Sequence, residues 1–255
     1  MNIWTDKVAI VTGGASGLGN ASVRALSERG MRVAIFDLNE ELGVSEAAEI
    51  GASYYSVDVS EPSSITNALD LVEKDLGTPR VLVNCAGIGP AAKTVSRSMP
   101  HDPAMFAKVI HINLLGTFYC ASQVAARMVA GESLDDDGVR GVIVNTSSVA
   151  AYDGQVGQVA YSTSKGGIVG MTLPMARDLA DKGIRVCAVA PGLFLTPLLS
   201  GMPQEVQDSL GAQVPFPSRL GKPEEFASLV CHIVDNPMLN GEVIRLDGAI
   251  RMAPR

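Results

Sequence analysis

KVAIVTGGASGLG (residues 7–19) is the stretch that decides the fold. Six residues of apolar, β-branched character end at Thr12, and a glycine-rich turn then opens into a segment of helical period starting at Leu18. A buried strand feeding a glycine turn and a helix is how an open α/β sheet presents backbone N–H groups to a phosphate. The spacing Gly13, Gly17, Gly19 is not the common G-x-G-x-x-G, so its surroundings must carry the reading.

Outward from this unit the pattern repeats. RVAIFD (32–37), YYSVD (54–58), VLVN (81–84), GVIVNTS (141–147), IRVCAVAP (184–191) and EVIRLDG (242–248) read as strands. Between them lie helical stretches at 40–50, 62–75, 104–130, about 160–182 and 223–234. Strands alternating with helices predict βαβ units, hence a doubly wound parallel sheet of Rossmann type with helices on both faces. No repeat or Pro/Ser-rich linker divides the chain, which predicts one domain over 1–255, with a cofactor half at about 1–150 and a catalytic and substrate half at about 140–255. Residues 192–222, holding four of the fourteen prolines, read as a cover over an active site.

Composition narrows the function classes. The 255 residues carry 27 acidic and 20 basic side chains, a net charge of −7, which argues against nucleic acid as the partner. Four widely spaced cysteines and three scattered histidines give neither a disulfide framework nor metal-ligand spacing, so no metal is expected. The triplet Asp135, Asp136, Asp137 reads as a solvated turn, and the absence of a G-x-S-x-G elbow excludes the hydrolase pattern. Residues 109–126 carry no formal charge, yet His111, Asn113, Ser122 and Gln123 interrupt them; they read as a buried or interface helix, not a membrane span. With Asp6 and a strand starting at Lys7 there is no targeting pattern, so a cytoplasmic location is expected.

The carboxyl ends of successive strands hold the candidate cofactor contacts, as expected for an open α/β sheet. The turn residues Gly13, Ser16, Gly17, Leu18 and Gly19 face a pyrophosphate. Asp37 ends the second strand eighteen residues after Gly19, placed to accept from the ribose hydroxyls of NAD and to repel the extra phosphate of NADP. Asp58 and Val59 sit at the adenine edge, and Cys85, Ala86 and Gly87 in NCAG (84–87) allow a close backbone approach. For the chemistry, Tyr161 and Lys165 are four apart in YSTSK and share a helix face, so an ammonium can lower the pKa of a phenol. In NTSS (145–148) both Ser147 and Ser148 are candidates to bind the substrate oxygen, and spacing does not separate them.

Taken jointly, TGxxxGxG at 12–19, NCAG at 84–87, Asn113 in HINLLG, Ser148, YxxxK at 161–165 and PGLFLT at 191–196 resemble the short-chain dehydrogenase/reductase family over essentially the whole chain. The resemblance implies a catalytic tetrad of Asn113, Ser148, Tyr161 and Lys165. Tyr161 would be the general acid/base and Ser148 the group orienting the substrate oxygen. Lys165 would lower the tyrosine pKa and bind the nicotinamide ribose, and Asn113 would hold a relay water. It also implies cofactor contacts at Tyr161, Lys165, Pro191, Phe194 and Thr196. Within the family, segments 154–180, 190–199, 214–221 and 240–252 are similar to type II 3-hydroxyacyl-CoA dehydrogenases, a group that includes oxidisers of hydroxysteroids. The implied activity is NAD-dependent interconversion of 3-hydroxyacyl-CoA and 3-oxoacyl-CoA. The rival readings are oxidation of a steroid or another secondary alcohol, and a cofactor-binding scaffold without turnover. Gln155, between Ser148 and Tyr161, is a candidate substrate contact, and the loop SRSMPHDP (96–103) departs from the group. Small residues in the Tyr161 helix, the uncharged stretches and the family resemblance point to a homotetramer.

Overall fold

The computed structural model describes residues 3–254. In chain order its elements are β1 (Val8–Thr12), α1 (Gly17–Glu28), β2 (Arg32–Asp37), α2 (Glu40–Ile50), β3 (Ser53–Ser56), α3 (Pro62–Asp75) and β4 (Pro79–Asn84). A hairpin of two-residue strands follows, β5 (Val95–Ser96) and β6 (Met99–Pro100), then α4 (Pro103–Ile110) and α5 (Gly116–Ala130). The second half holds β7 (Gly141–Thr146), α6 (Val159–Leu179), β8 (Ile184–Pro191), α7 (Pro197–Ser200), α8 (Gln204–Gly211), α9 (Pro223–Asp235) and β9 (Val243–Leu246).

Seven strands form one parallel sheet in the order β3-β2-β1-β4-β7-β8-β9. Winding turns back on itself between β1 and β4, and that crevice is where the physics of the fold puts a ligand. The inner strands β1, β4, β7 and β8 are buried along their whole length, as a sheet covered on both faces requires. One hydrophobic layer packs the sheet against α3, α5 and α6, with Ile10, Leu82, Ile143 and Val186 facing Leu69, Val124 and Met175. The other packs it against α1 and α9, where Val11, Val83 and Val144 meet Leu26, Phe226 and Val230.

Three departures from the sequence reading bear on function. The stretch read as one helix over 104–130 is broken by a π-turn at His111–Leu115, centred on Asn113. Such wide turns concentrate at functional sites. Residues 94–101 carry a small hairpin instead of an open loop, its tip Arg97 and Ser98 in left-handed backbone conformation. The proline-rich cover contains two short helices, α7 and α8, and is tied down by the pairing of Phe194 with Gly221.

Candidate active site

At the switch point the chain encloses a cleft of about 910 Å³, within the usual size of a small-molecule site. Its floor is the glycine turn. Gly13 and Gly17 adopt positive φ (64° and 54°). A Cβ on Gly13 would sit 2.8 Å from the Ala86 amide nitrogen, and one on Gly19 would collide with the Gly13 carbonyl. Only bare backbone fits here, which is what close approach of a pyrophosphate needs. Thr12 locks the two strand ends together: its hydroxyl accepts from Cys85 N and Ala86 N (3.1 Å each) and donates to Asn84 Oδ1 (3.3 Å).

The carboxylate of Asp37 does two jobs. It lines the cleft, and it also accepts from Ala15 N (3.1 Å, Oδ2) and from Asn39 N (3.0 Å, Oδ1), so it braces the glycine turn from the next strand. Asp58 lines the cleft beside Val57, Val59 and Leu38, its Oδ1 held by the backbone and hydroxyl of Ser60. Ser16, Leu18, Cys85, Ala86, Gly87 and Thr196 also line it. The donor set and the glycine cradle fit a dinucleotide.

Tyr161 and Lys165 stand behind the loop that leaves β4. A Cβ on Gly87 would lie 3.9 Å from Lys165 Nζ, and one on Gly89 would lie 3.7 Å from the Tyr161 ring. The π-turn supplies the clamp that holds this loop in place: Asn113 Oδ1 accepts from Ile88 N and Asn113 Nδ2 donates to Ile88 O, both at 2.8 Å. The second amide hydrogen goes to Ser164 Oγ (3.1 Å). Asn113 is fully buried with both amide hydrogens engaged, so its role here is to position Ile88 and the loop around it.

The two serines separate cleanly. Ser147 Oγ donates to the Lys165 carbonyl (2.9 Å) inside the core. Ser148 Oγ accepts from Ala150 N (3.1 Å) and stands near enough to the Tyr161 phenol to lower its pKa. Ser148 is thus the serine beside the reactive group. Burial raises the Tyr161 phenol pKa, and Ser148 partly offsets the rise. Burial also brings the Lys165 ammonium down to about 8, with Cys85 acting in the opposite sense. Lys165 Nζ donates to Thr146 O (2.7 Å) and lies 5.7 Å from the centre of the Tyr161 ring. Cys85, pushed up to about 11 by burial, is a neutral thiol.

Ser148, Tyr161 and Lys165 lie behind the cleft lining, and three further expected contacts are turned elsewhere. Pro191 is buried at the end of β8, and the Phe194 side chain packs in the core against Gly221, so hydrophobic packing has claimed both rings. Gln155 lies on a separate hollow with Lys93, Thr94 and Ser162, where its side-chain amide donates to the Ala253 carbonyl (2.9 Å) of the C-terminal tail. Conversely, Lys108, His111, Ile112 and Glu61 line the cleft without having been singled out for it. Lys108 and His111 are three apart on a helical run; only the packing of α4 on α6 reveals which way that face points.

A parallel sheet with a glycine cradle at its switch point, and a serine and a lysine set about a half-buried tyrosine, defines a nicotinamide-dependent oxidoreductase acting on CH–OH groups. The chain belongs to the short-chain dehydrogenase family, whose model, described as short chain dehydrogenase, matches residues 7–207. It is 53% identical over 251 residues to 3-hydroxyacyl-CoA dehydrogenase type-2 of Bos taurus, covering 97% of this chain and 96% of that one. The Drosophila melanogaster protein of the same name is 49% identical, with 98% and 99% covered. A crystal structure of 3-hydroxyacyl-CoA dehydrogenase type-2 from Mycobacterium avium superposes with a TM-score of 0.94 at 42% identity, covering 98% of both chains.

Proposed function

We propose that this protein interconverts 3-hydroxyacyl-CoA and 3-oxoacyl-CoA thioesters with NAD as its cofactor. The observation that carries this reading is the Ser148–Tyr161 pair beside Lys165, in a chain about half identical along its whole length to enzymes named for that reaction. The nicotinamide, when bound, supplies or takes up the hydride; everything else falls to side chains. Ser148 and the Tyr161 phenol lie side by side and converge on one substrate oxygen. In the reducing direction the phenol, kept protonated, donates its proton to the 3-oxo oxygen. In the oxidising direction it takes the hydroxyl proton, with Ser148 and the nearby Lys165 ammonium stabilising the phenolate. Asn113 and Gly87–Gly89 hold the loop over this pair.

NAD over NADP is favoured by the charges around Asp37. Arg24, the nearest arginine on α1, is already ion-paired to Glu46 (2.5 Å) and Glu49 (2.8 Å), so no free guanidinium waits for a 2′-phosphate. Assembly as a homotetramer is supported by faces left open: the helical run Pro103–Ala130 is only one-third buried in its most apolar window, and Phe118 is 46% exposed. On α6 nothing lies within 4 Å of a Cβ built on Gly166 or Gly170, so a second helix can approach closely. All four cysteines are free thiols, in keeping with a reducing, cytoplasmic setting. A panel of 3-hydroxyacyl-CoA, hydroxysteroid and simple secondary-alcohol substrates, assayed separately with NAD and NADP, tests the proposal. The highest kcat/KM should fall to an acyl-CoA with NAD; a steroid or simple alcohol in that place would overturn it.

A further inference from the structure

Two hollows meet along α4. One is the cofactor cleft; the other, of about 580 Å³, is bounded by Ile88, Gly89, Pro90, Asp102, Met105 and Lys108. Among the described residues, Ile88 and Lys108 are the two that border both. Ile88 is clamped through its backbone by Asn113. Gly89 is in the wall of the second hollow, and a Cβ on it would lie 3.7 Å from the Tyr161 ring, so this space adjoins the loop that covers the phenol. Met105, Lys108 and His111 follow at intervals of three and share a helix face, apolar over the second hollow and cationic at the junction.

Charge makes the junction distinctive. The acids lining the cofactor cleft are Asp37, Asp58 and Glu61, and the chain carries a net charge of −7. Lys108 is the single lysine or arginine on either hollow among the described residues, and its exposed ammonium makes no ion pair there. Asp102, the one acid of the second hollow, already caps α4 by accepting from Ala104 N (2.9 Å). A polyanionic substrate approaching an acidic protein is repelled within a Debye length of about 8–10 Å, so its phosphates need a local cation. The neutral, amide-containing arm of such a substrate suits a hollow walled by Ile88, Pro90 and Met105.

We propose that Lys108 binds a phosphate of the coenzyme A half of the substrate, with the pantetheine arm lying along the second hollow. This assignment rests on the acyl-CoA reading above. The test is calorimetric titration of free coenzyme A, and of pantetheine, which lacks every phosphate, into the NAD-loaded enzyme. Wild type is compared with Lys108→Gln and with the charge-preserving Lys108→Arg. Loss of one partly exposed charge-assisted hydrogen bond should raise the coenzyme A Kd about three- to tenfold in Lys108→Gln. Lys108→Arg should stay close to wild type, and pantetheine affinity should not follow the charge. The assignment is overturned if coenzyme A and pantetheine weaken alike, if coenzyme A binding is unchanged, or if only NAD affinity falls, which would give the lysine to the cofactor. Coenzyme A binding that depends on Lys108, without turnover of any 3-hydroxyacyl-CoA, would defeat the proposed activity and leave the phosphate assignment standing. Turnover with phosphate-independent binding would defeat the assignment alone.

Discussion

Replacing Asp37 by Asn keeps the shape of the side chain and removes its charge, and the cofactor preference should respond in a calculable way. A carboxylate about 4 Å from one phosphate charge is repelled by roughly 4 kcal/mol at an effective dielectric near 20. The cleft opens to solvent and salt screens the pair, which reduces this to about 1.5–3 kcal/mol, or about 10- to 100-fold in cofactor discrimination. The surroundings do not cancel it: Arg24 is neutralised by Glu46 and Glu49, and Asn20 already bridges Glu46 and Arg24. Wild type should therefore favour NAD over NADP by at least about tenfold in kcat/KM, and Asp37→Asn should close most of that gap. Asp37 also accepts from Ala15 N and Asn39 N, so Asp37→Ala should cost in addition about 1–2 kcal/mol of stability through a loosened glycine turn. Steady-state kinetics with each cofactor, paired with urea denaturation of both variants, reads the two effects separately. Equal use of NAD and NADP by wild type, or an unchanged ratio in Asp37→Asn, would refute the reasoning.

Tyr161→Phe removes the proton donor with little change in volume, so turnover should fall at least about 100-fold while NAD affinity stays within a few-fold; wild-type-like turnover sinks the acid/base assignment. Glu225 is held down at about 2, first by its hydrogen bonds to Arg219 and then by that from Lys222 N, which fasten the end of the cover to α9. Because the folded pKa lies below the unfolded value of 4.5, this stabilisation is complete above about pH 4.5 and fades as pH falls toward 2. The urea midpoint of Glu225→Gln should accordingly trail wild type at pH 7 and converge with it near pH 2, and a gap that does not narrow contradicts the linkage. Sedimentation at micromolar concentration should show an assembly of four chains; a lone 26.6 kDa species overturns the tetramer.

Much of the fold was legible because the buried parallel strands are continuous apolar runs bounded by glycine, proline and acid. RVAIFD and IRVCAVAP match β2 and β8 end to end, and the helix at 62–75 matches α3. The short hairpin at 95–100 and the helices α7 and α8 escaped because each is too short to display a period. The π-turn escaped for another reason. His111–Leu115 has the composition of ordinary helix, and what widens it is the bond pair from Asn113 to Ile88, twenty-five residues away.

The site divides along the same line. Glycine positions are readable from sequence because the requirement at Gly13 and Gly19 is local and steric, and Asp37 is readable because a strand end fixes where its carboxylate emerges. Sequence by itself determined the sheet, the cradle and the Ser–Tyr–Lys set. Tertiary structure alone turned Ser147 Oγ to the Lys165 carbonyl and Lys165 toward Thr146, committed Phe194 to the core and Gln155 to the C-terminal tail, and aimed Lys108 at the junction of two hollows. The physical reason is that backbone conformation is set by near neighbours, whereas the direction and partner of a long polar or aromatic side chain depend on packing between segments far apart in the chain.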